Sequence, residues 1–327
     1  MRNYKKGVMK IIRCILGAVL FCVAVSCSSS AVSKKDKDQL SVEGTSLVNG
    51  DGEKVALKGV SFGWHNWWPR FYNASVVKVL KDEWKATVVR AAMGVEPDGA
   101  YISDPEKALA CVTAVADAAI ENKMYVIIDW HSHSIRTEEA KDFFAKMANR
   151  YKDSPYVIYE IFNEPVEDSW EAVKAYSEEV IRTIRAIDPD NVILVGTPHW
   201  DQDVHLAADS PIEGYNNIMY TLHFYAATHG QYLRECADYA LSKGLPLFVS
   251  ECAGMEASGD GPVNRQEWDI WRDWMKNHTI SWVCWSVSDK NETCSMLYPN
   301  TSSTGEWADK DLKDWGHLVK SELQNSK

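Results

Sequence analysis

The sequence predicts a (β/α)8 barrel in a single domain, preceded by a short hairpin. Strand-like apolar runs alternate with amphipathic stretches of helical length, an order typical of parallel sheets. There are eight such runs, and the 327 residues leave room for a barrel, which takes about 250. The alternative is an open doubly wound sheet, but no glycine-rich phosphate loop follows any of the runs. A closed barrel is therefore favoured.

The eight predicted strands are rich in β-branched and aromatic residues, the composition of strands buried in a sheet. A hairpin with its turn at residues 49–52, Asn-Gly-Asp-Gly, leads into the first of them. The strands are predicted at residues 55–62, 87–93, 125–130, 157–163, 191–197, 218–224, 246–251 and 280–287.

The segments between the strands have amphipathic spacing and recognisable helix ends. Asp104 is a capping residue ahead of Pro105, which is favoured in the first turn of a helix. Another helix stops just before Asp188 and Pro189. The helices are predicted at residues 73–85, 104–123, 137–152, 170–187, 230–243, 264–278 and 311–324.

Residues 1–26 predict a secretory signal of the lipoprotein type. They carry five basic side chains and no acidic one, and the 13 residues from Cys14 to Ser26 are uncharged. That run is too short to span a bilayer but fits the apolar region of a signal. It ends in VAVSC, which resembles the lipobox of bacterial lipoproteins, so we expect a lipid on Cys27. The alternative is an ordinary cleavage site nearby with Cys27 unmodified; Met9 begins a shorter signal.

The remainder is predicted to form a polar tether at residues 27–40 and one barrel domain at 41–327. The predicted location is the envelope of a bacterial cell, held by the lipid, or otherwise the outside of the cell. Loss of the signal takes the formal charge from −11 to −16, since five positive charges leave with it. Such acidity argues against a nucleic-acid partner. The five later cysteines form no CxxC pair. We expect a monomer.

Polar and aromatic residues gather at the carboxyl ends of the predicted strands, where the active site of such a barrel lies. The presence of a single such residue, for example Arg90, would be explained if it neutralised a buried acidic side chain. Glu164 follows a buried strand directly, and a carboxylate there is costly to desolvate unless it is paired or used. Several such residues at one mouth indicate a site. The residues are Arg90, His131, Asn163, Glu164, His223, Tyr225, Glu251, Trp285, Lys290 and Glu292.

Two carboxylates that face one cleft from different strands are the working parts of glycoside hydrolysis. Six sequence motifs, found in this order along the chain, are similar to those of one known family: VVRAAM, IIDWHSH, IYEIFNEP, LHFYA, LFVSE and CWSVSDKNE. Together they resemble glycoside hydrolase family five, a family of cellulases and mannanases with paired glutamates on strands four and seven. The resemblance covers roughly residues 45–320.

The resemblance implies a role for each residue of the catalytic group. Glu164 would be the acid/base and Glu251 the nucleophile. Asn163 would hold the 2-hydroxyl of the sugar under attack. Arg90 and Tyr225 would contact the nucleophile and keep it ionised, as a positive charge and a hydrogen bond should.

The resemblance also implies a sugar-binding surface. His131 and His223 would line the site around the scissile bond, with His223 near the acid/base, and Trp285 would be the platform under the central sugar. CWSVSDKNE is similar to the bacterial endoglucanase branch, in which a lysine and a glutamate grip a sugar on the non-reducing side. These would be Lys290 and Glu292, with solvated loop charges as the alternative.

The segment GWHNWW after the first strand stands where that branch places a stacking aromatic residue. Trp64 and Trp67 are the candidates, because the C–H faces of a pyranose pack on aromatic rings. Core packing is the alternative for each. After RAAM many relatives carry a tyrosine, whereas this chain has Gly94, so a contact with the sugar is missing or supplied elsewhere.

The predicted function is a retaining endo-β-1,4-glucanase that acts on cellulose-type β-glucans without a cofactor. The same mechanism on mannan, xyloglucan or mixed-linkage β-glucan is one alternative, because a few loop residues choose among them. A non-catalytic surface glycan-binding lipoprotein is another. His131 and His133 form an HxH pair, but metal-dependent barrels place it on strand one with a bridging carboxylate or lysine. We therefore expect no metal site.

Overall fold

The structure is a computed structural model that describes residues 36–325. The predicted signal at residues 1–26, Cys27 and the first part of the predicted tether lie outside the described residues. Residues 36–40 pack on the folded domain: Leu40 is buried, and the Tyr125 hydroxyl donates a hydrogen bond to the Asp38 carbonyl at 2.7 Å. The end of the predicted tether therefore belongs to the domain. Within residues 36–325, no helix is both long and apolar enough to cross a bilayer.

A hairpin precedes the barrel, but its turn is earlier than the sequence predicts. Strands β1 (Ser41–Glu43) and β2 (Ser46–Val48) pair antiparallel around Gly44, whose φ of 59° is one that glycine adopts without strain. The predicted turn at residues 49–52 also forms. It joins β2 to a single bridge between Val48 and Lys54 and not to a second full strand.

Eight parallel strands close into a barrel, which confirms the predicted fold class. The last strand pairs with the first barrel strand, and each of the others pairs with its neighbour in the chain. The barrel strands are β3 (Lys58–Phe62), β4 (Val88–Gly94), β5 (Tyr125–His131), β6 (Val157–Glu160), β7 (Ile193–Val195), β8 (Ile218–Tyr225), β9 (Leu247–Ala253) and β10 (Trp282–Val287).

Helices fill the connections and cover the outside of the barrel. Asp104 caps α2 by accepting a hydrogen bond from the Lys107 amide at 3.1 Å, and Pro105 stands at its first position. The α-helices are α1 (Ala74–Asp82), α2 (Pro105–Glu121), α3 (Thr137–Tyr151), α4 (Trp170–Arg185), α6 (Val204–Asp209), α7 (Gln231–Ser242), α8 (Arg265–His278) and α9 (Asp314–Asn325). The segment α5 (Pro198–Asp201) is a single turn in which three residues have left-handed φ values.

Strand β6 ends at Glu160, three residues before the predicted end. Its neighbour β7 has only three residues, so regular pairing on that side stops at Glu160. The chain beyond stays tied to both neighbours: the Ile161 amide donates to the Leu194 carbonyl, and the Asn163 amide to the Trp130 carbonyl, each at 3.0 Å. Residues that follow β6 are thus held firmly although they lie outside the strand.

The inner face of the barrel changes from apolar to polar along β4 and β6. Ile158 at the lower level of β6 belongs to an apolar cluster, and Glu160, two residues later on the same face, is buried and charged. On β4 the same step leads from Val88 to Arg90. Leu40 and Leu47 join the lower cluster from the N-terminal segment. An apolar floor therefore supports a polar upper layer at the carboxyl ends of the strands.

Replacing Ile158 by alanine should lower the free energy of unfolding by about 2–5 kcal/mol, because it leaves a cavity in this floor. Denaturant unfolding followed by circular dichroism measures the change. The matched control is Ile270→Ala on the outer side of α8, where 42% of the residue is exposed; a change within about 0.5 kcal/mol is expected there. Equal losses in the two variants would contradict the proposed packing of the floor.

Candidate active site

Arg90 stands at the centre of the polar layer, fully buried on β4. Its Nε donates to Glu160 Oε2 at 2.7 Å, and its Nη1 to Glu251 Oε2 at 2.8 Å. Its Nη2 lies 3.0 Å from Asp129 Oδ2 and donates to Asn163 Oδ1 at 2.5 Å. One guanidinium thus joins carboxylates from three strands, in the rigid fork that suits arginine better than lysine.

Glu251 on β9 accepts hydrogen bonds at both carboxylate oxygens. Arg90 donates to Oε2, and the Tyr225 hydroxyl donates to Oε1 at 2.7 Å. Burial, with the negative charge of Glu164, raises the pKa of Glu251, although Arg90 and Tyr225 oppose the shift. Arg90 and Tyr225 thus favour the ionised form of Glu251, as expected, but burial and Glu164 have the larger effect on its pKa. The hydrogen bonds still fit the ionised form, which accepts at both oxygens.

Glu164 lies in the loop after β6 between two histidines. His223 Nδ1 is 2.9 Å from Glu164 Oε1, and His133 Nε2 is 3.2 Å from Oε2. Burial opposes ionisation of Glu164, but the hydrogen bonds and charges of the two histidines outweigh it and lower the pKa to about 2. Burial also opposes protonation of His223, yet Asp201, Glu160 and Glu164 raise its pKa well above the usual value.

The hydrogen bonds around His223 fix where its protons lie. The Ser250 hydroxyl donates to Glu160 Oε1 at 2.6 Å, because an ionised carboxylate only accepts. Ser250 therefore accepts a hydrogen bond from His223 Nε2, 2.8 Å away, and that nitrogen carries a proton. Asp201 Oδ2, 3.2 Å from the same nitrogen, adds a favourable charge. A further proton is then held between His223 Nδ1 and Glu164.

The two glutamates face each other closely. A carboxylate oxygen of Glu164 lies within 4.8 Å of one of Glu251, with a nitrogen of His223 within the same distance. The three side chains have the residue types of a metal site, but both nitrogens of His223 already have partners and Arg90 places a positive charge beside Glu251. Charge and hydrogen bonding thus suit a proton-transfer site better than a cation site.

A family model described as cellulase (glycosyl hydrolase family 5) matches residues 48–291. The chain belongs to glycosyl hydrolase family 5.

Proteins from several bacteria are similar to this chain. It is 45% identical to Endoglucanase Z of Dickeya dadantii over 95% of its length and 72% of that protein. A solved structure from Cytophaga hutchinsonii has 45% identity and a TM-score of 0.86, covering 88% of this chain and 94% of that one. The catalytic domain of a Thermobifida fusca endoglucanase, solved as a variant with cellotetraose, has 33% identity and a TM-score of 0.84, covering 88% and 98%.

Some of the similar proteins are considerably longer than this chain. It spans 65% of an endoglucanase of Clostridium saccharobutylicum and 63% of Endoglucanase 5 of Pectobacterium carotovorum. The solved catalytic domain is covered almost whole. The similarity to the longer relatives therefore concerns the barrel domain.

One arm of the family 5 cleft, here called the tryptophan arm, runs from the two glutamates to the loops after β3 and β10. Its cavity of about 320 Å³ is lined by Trp64, Trp67, Trp285, Lys290 and Glu292. Trp67 is 54% exposed, and its ring centroid lies 4.9 Å from that of Trp64. Lys290 pairs with Glu292, so these charges face the cleft as a pair. The arm presents aromatic rings beside charged groups, the mixture that sugar binding requires.

Gly94 leaves room for the Trp64 ring, which forms one wall of the tryptophan arm. A Cβ at that position would stand 2.7 Å from the Trp64 ring and 2.7 Å from Asn66 Oδ1. The Trp64 ring therefore occupies the place where a side chain at position 94 would be. Trp64 also packs edge-on against His131 at 4.3 Å, and His131 stacks parallel to Trp285 at 5.3 Å.

His131 contributes an uncharged ring to the site, which packs between Trp64 and Trp285. Burial, followed by the nearby charge of Arg90, lowers its pKa well below the usual value. The neutral ring donates a hydrogen bond from Nδ1 to Asp129 Oδ2 at 2.7 Å.

The Asn163 side chain has one unpaired group: its Nδ2 has no hydrogen-bond partner among the described residues, although its Oδ1 accepts a hydrogen bond from Arg90. A buried amide N–H of this kind is ready to bind a ligand oxygen.

The other arm, here called the Trp200 arm, was missed by sequence reasoning. Its cavity of about 410 Å³ shares both glutamates with the tryptophan arm and is lined also by Trp200, Gln202 and His229. Three successive residues have left-handed φ values: His199 at 54°, Trp200 at 55° and Asp201 at 60°. Such angles are rare outside glycine, so no local pattern predicted this turn. It directs Asp201 to His223 and leaves Trp200 exposed.

Three other members of the site could have been found from the sequence. Asp129 and Glu160 fall on the inward-facing alternation of β5 and β6, and His133 follows His131 in the same motif. Glu160 lies three residues before the end of the strand predicted at residues 157–163, so it was not among the residues expected at the strand ends. The alternation of inward-facing and outward-facing residues along a strand is therefore a stronger signal of site residues than a position at the end of a strand.

Replacing Arg90 by leucine should lower the free energy of unfolding by about 3–5 kcal/mol, because Asp129, Glu160 and Glu251 lose their buried counter-charge. Denaturant unfolding measures the loss. The control is Arg272→Leu, since Arg272 also contacts three carboxylates but on a partly exposed surface, where each pair contributes about 0–1 kcal/mol. Losses of equal size would show that Arg90 does not hold the layer together.

Proposed function

We propose that this family 5 chain is an endo-β-1,4-glucanase that cleaves cellulose-type β-glucans with retention of configuration. The observation that carries the proposal is the pair of glutamates with oxygens within 4.8 Å of each other. This close approach of one oxygen from each side chain fits the carboxyl separation of about 5–5.5 Å in retaining enzymes better than the about 6.5–9.5 Å of inverting enzymes, which admit a water between the two groups. The similar proteins named endoglucanases support the choice of β-glucan as substrate.

In the proposed first step, Glu251 attacks the anomeric carbon and Glu164 protonates the leaving oxygen. The proton comes from the hydrogen bond between Glu164 Oε1 and His223 Nδ1, which holds it next to the acid. In the second step the Glu164 carboxylate takes a proton from water, which displaces Glu251 from the sugar. Asn163 Nδ2 would bind the 2-hydroxyl, and Arg90 and Tyr225 would orient Glu251.

The two arms would bind opposite ends of the substrate chain. The tryptophan arm would take the non-reducing side, with Trp285 beneath the central sugar and Trp64 and Trp67 as further platforms. Lys290 and Glu292 would bind hydroxyl groups there. The Lys313 ammonium donates to the backbone carbonyls of both residues, at 2.6 and 2.8 Å, and so fixes that loop. The Trp200 arm would then take the leaving side of the chain.

A panel of purified polysaccharides tests the proposal directly. Carboxymethylcellulose should be cleaved faster than mannan, xyloglucan or mixed-linkage β-glucan, with viscosity falling early because internal bonds are cut. Activity should persist in excess chelator, since protons and carboxylates supply the chemistry. A preference for another polysaccharide would transfer the mechanism to that substrate. Binding without turnover would support a glycan-binding protein instead.

Variants of the two glutamates test their separate roles. Glu164→Ala should slow cleavage of cellulose chains by about 10²–10⁴-fold, because a sugar leaving group needs a proton. On an aryl cellobioside with an acidic phenol it should give a burst of phenol, followed by rescue with azide to a β-glycosyl azide. Glu251→Ala should give no burst and, with azide, an α-azide.

Steady-state kinetics and proton NMR of the azide products measure these outcomes. The control is Glu306→Ala, a change of the same residue type at an exposed position, which should behave like the wild type. Azide products of the opposite configurations would reverse the assignment of acid and nucleophile.

We also propose that the protein is exported and anchored through a lipid on Cys27, as the sequence VAVSC suggests. Cys27→Ala should move the protein from the membrane fraction to the soluble fraction without loss of specific activity. Cys22→Ala, within the same signal, is the control and should leave the distribution unchanged. Membrane association that survives Cys27→Ala would argue against the anchor.

A further inference from the structure

Large aromatic side chains exposed to solvent are concentrated near the cleft. Among residues 36–325, five aromatic residues rank as exposed: Trp67, Trp200, Tyr232, Tyr239 and Tyr298. Trp67 lines the tryptophan arm, and three of the others line one groove beside the Trp200 arm. Single exposed apolar groups need no explanation, but a cluster at the end of a cleft indicates a binding surface.

This aromatic groove is defined by Trp200, Tyr232 and Tyr239, with Gln202 and Asp209 at its polar edges. It lies between the α5–α6 segment and α7 and encloses about 640 Å³. The volume falls in the range of about 300–1,000 Å³ typical of ligand sites. Trp200 and Gln202 line both this groove and the Trp200 arm, so the two cavities are continuous. A chain that leaves the cleft past Trp200 enters the groove.

The two tyrosines are spaced for an extended ligand. They stand seven residues apart on α7, which places them on one face and roughly 10 Å apart along the helix. That separation is about one disaccharide repeat of an extended β-1,4-linked chain, in which alternate sugars present equivalent faces. A series of rings at such a spacing suits a repeating polymer better than a compact small molecule.

One of the two tyrosine rings is held before any ligand binds. The Tyr239 hydroxyl donates to Asp209 Oδ1 at 2.6 Å, and the Tyr232 hydroxyl lies 3.5 Å from Gln202 Oε1. Their partners come from the opposite wall of the groove. Rings fixed in this way lose little side-chain entropy when a ligand packs on them. The groove thus combines flat apolar faces with acceptors at its edges, which suits a neutral sugar chain with many hydroxyl donors.

We propose that the aromatic groove binds the continuation of a β-glucan chain beyond the leaving side of the cleft. Tyr232 and Tyr239 stack on sugars that lie past Trp200, and Gln202 and Asp209 accept hydrogen bonds from their hydroxyl groups. The inference rests on the proposed function, because it assumes that a β-glucan occupies the cleft. It assigns a second binding surface that acts on long chains and is out of reach of short ones.

The test is the double variant Tyr232→Ala/Tyr239→Ala, compared with Tyr298→Ala. Tyr298 is 50% exposed but lines neither arm nor the groove, so it matches the change in residue type and exposure. For each protein, kcat/KM is measured on soluble carboxymethylcellulose and on an aryl cellobioside. The ratio of the two values should fall about three- to tenfold in the double variant, through KM on the polymer, and stay at the wild-type value in the control.

Affinity electrophoresis in gels containing carboxymethylcellulose provides a readout independent of turnover. The double variant should be retarded less than Tyr298→Ala. Equal retardation and an unchanged activity ratio would overturn the inference. An equal loss on both substrates would overturn it as well, because the tyrosines would then support the cleft itself. Failure of the wild type to hydrolyse any polysaccharide would instead overturn the proposed function, so the two failures are distinguishable.

Discussion

The pairing of one buried guanidinium with carboxylates from three strands is the constraint on which the rest of the site depends. Arg90 has no exposed surface, so its charge must be balanced within the barrel, and Asp129, Glu160 and Glu251 supply that balance. Arg90 also orients Glu251 and donates a hydrogen bond to the side-chain oxygen of Asn163. An arrangement that neutralises buried charge therefore also positions the groups of the reaction. The same side chains therefore contribute to the stability of the barrel and to the proposed reaction.

This charged layer is tolerated because an apolar floor lies beneath it. Successive inward-facing residues of one strand are two positions apart, so a strand can contribute an apolar residue to the floor and a charged one to the layer above, as Ile158 and Glu160 do. The floor resists unfolding, and the layer is exposed to substrate only at the carboxyl ends. The direction of the strands thus decides which end of the barrel carries the site.

The proposed acid/base Glu164 and the proposed substrate surface are linked through one short turn. The left-handed residues at 199–201 direct Asp201 inwards to His223 and leave Trp200 at the junction of the cleft and the aromatic groove. The proton held between His223 and Glu164 therefore depends on the same turn that lines the Trp200 arm. Residues with left-handed φ cost conformational energy, and such sites are often functional. A polymer in the groove would lie close to this turn.

The sequence by itself determined the barrel, the family and the positions of Glu164 and Glu251, because periodic apolar strands and ordered motifs are local properties of the chain. It also indicated Arg90 and its contact with Glu251, although not the contacts of Arg90 with Asp129 and Glu160. Only the tertiary structure decided that Trp200 and Asp201 belong to the site, that Trp64 fills the place left by Gly94, and that β6 stops at Glu160. It also decided the groove between α6 and α7. These features depend on contacts between distant segments and on backbone angles that no local pattern encodes, which is why they required the folded chain.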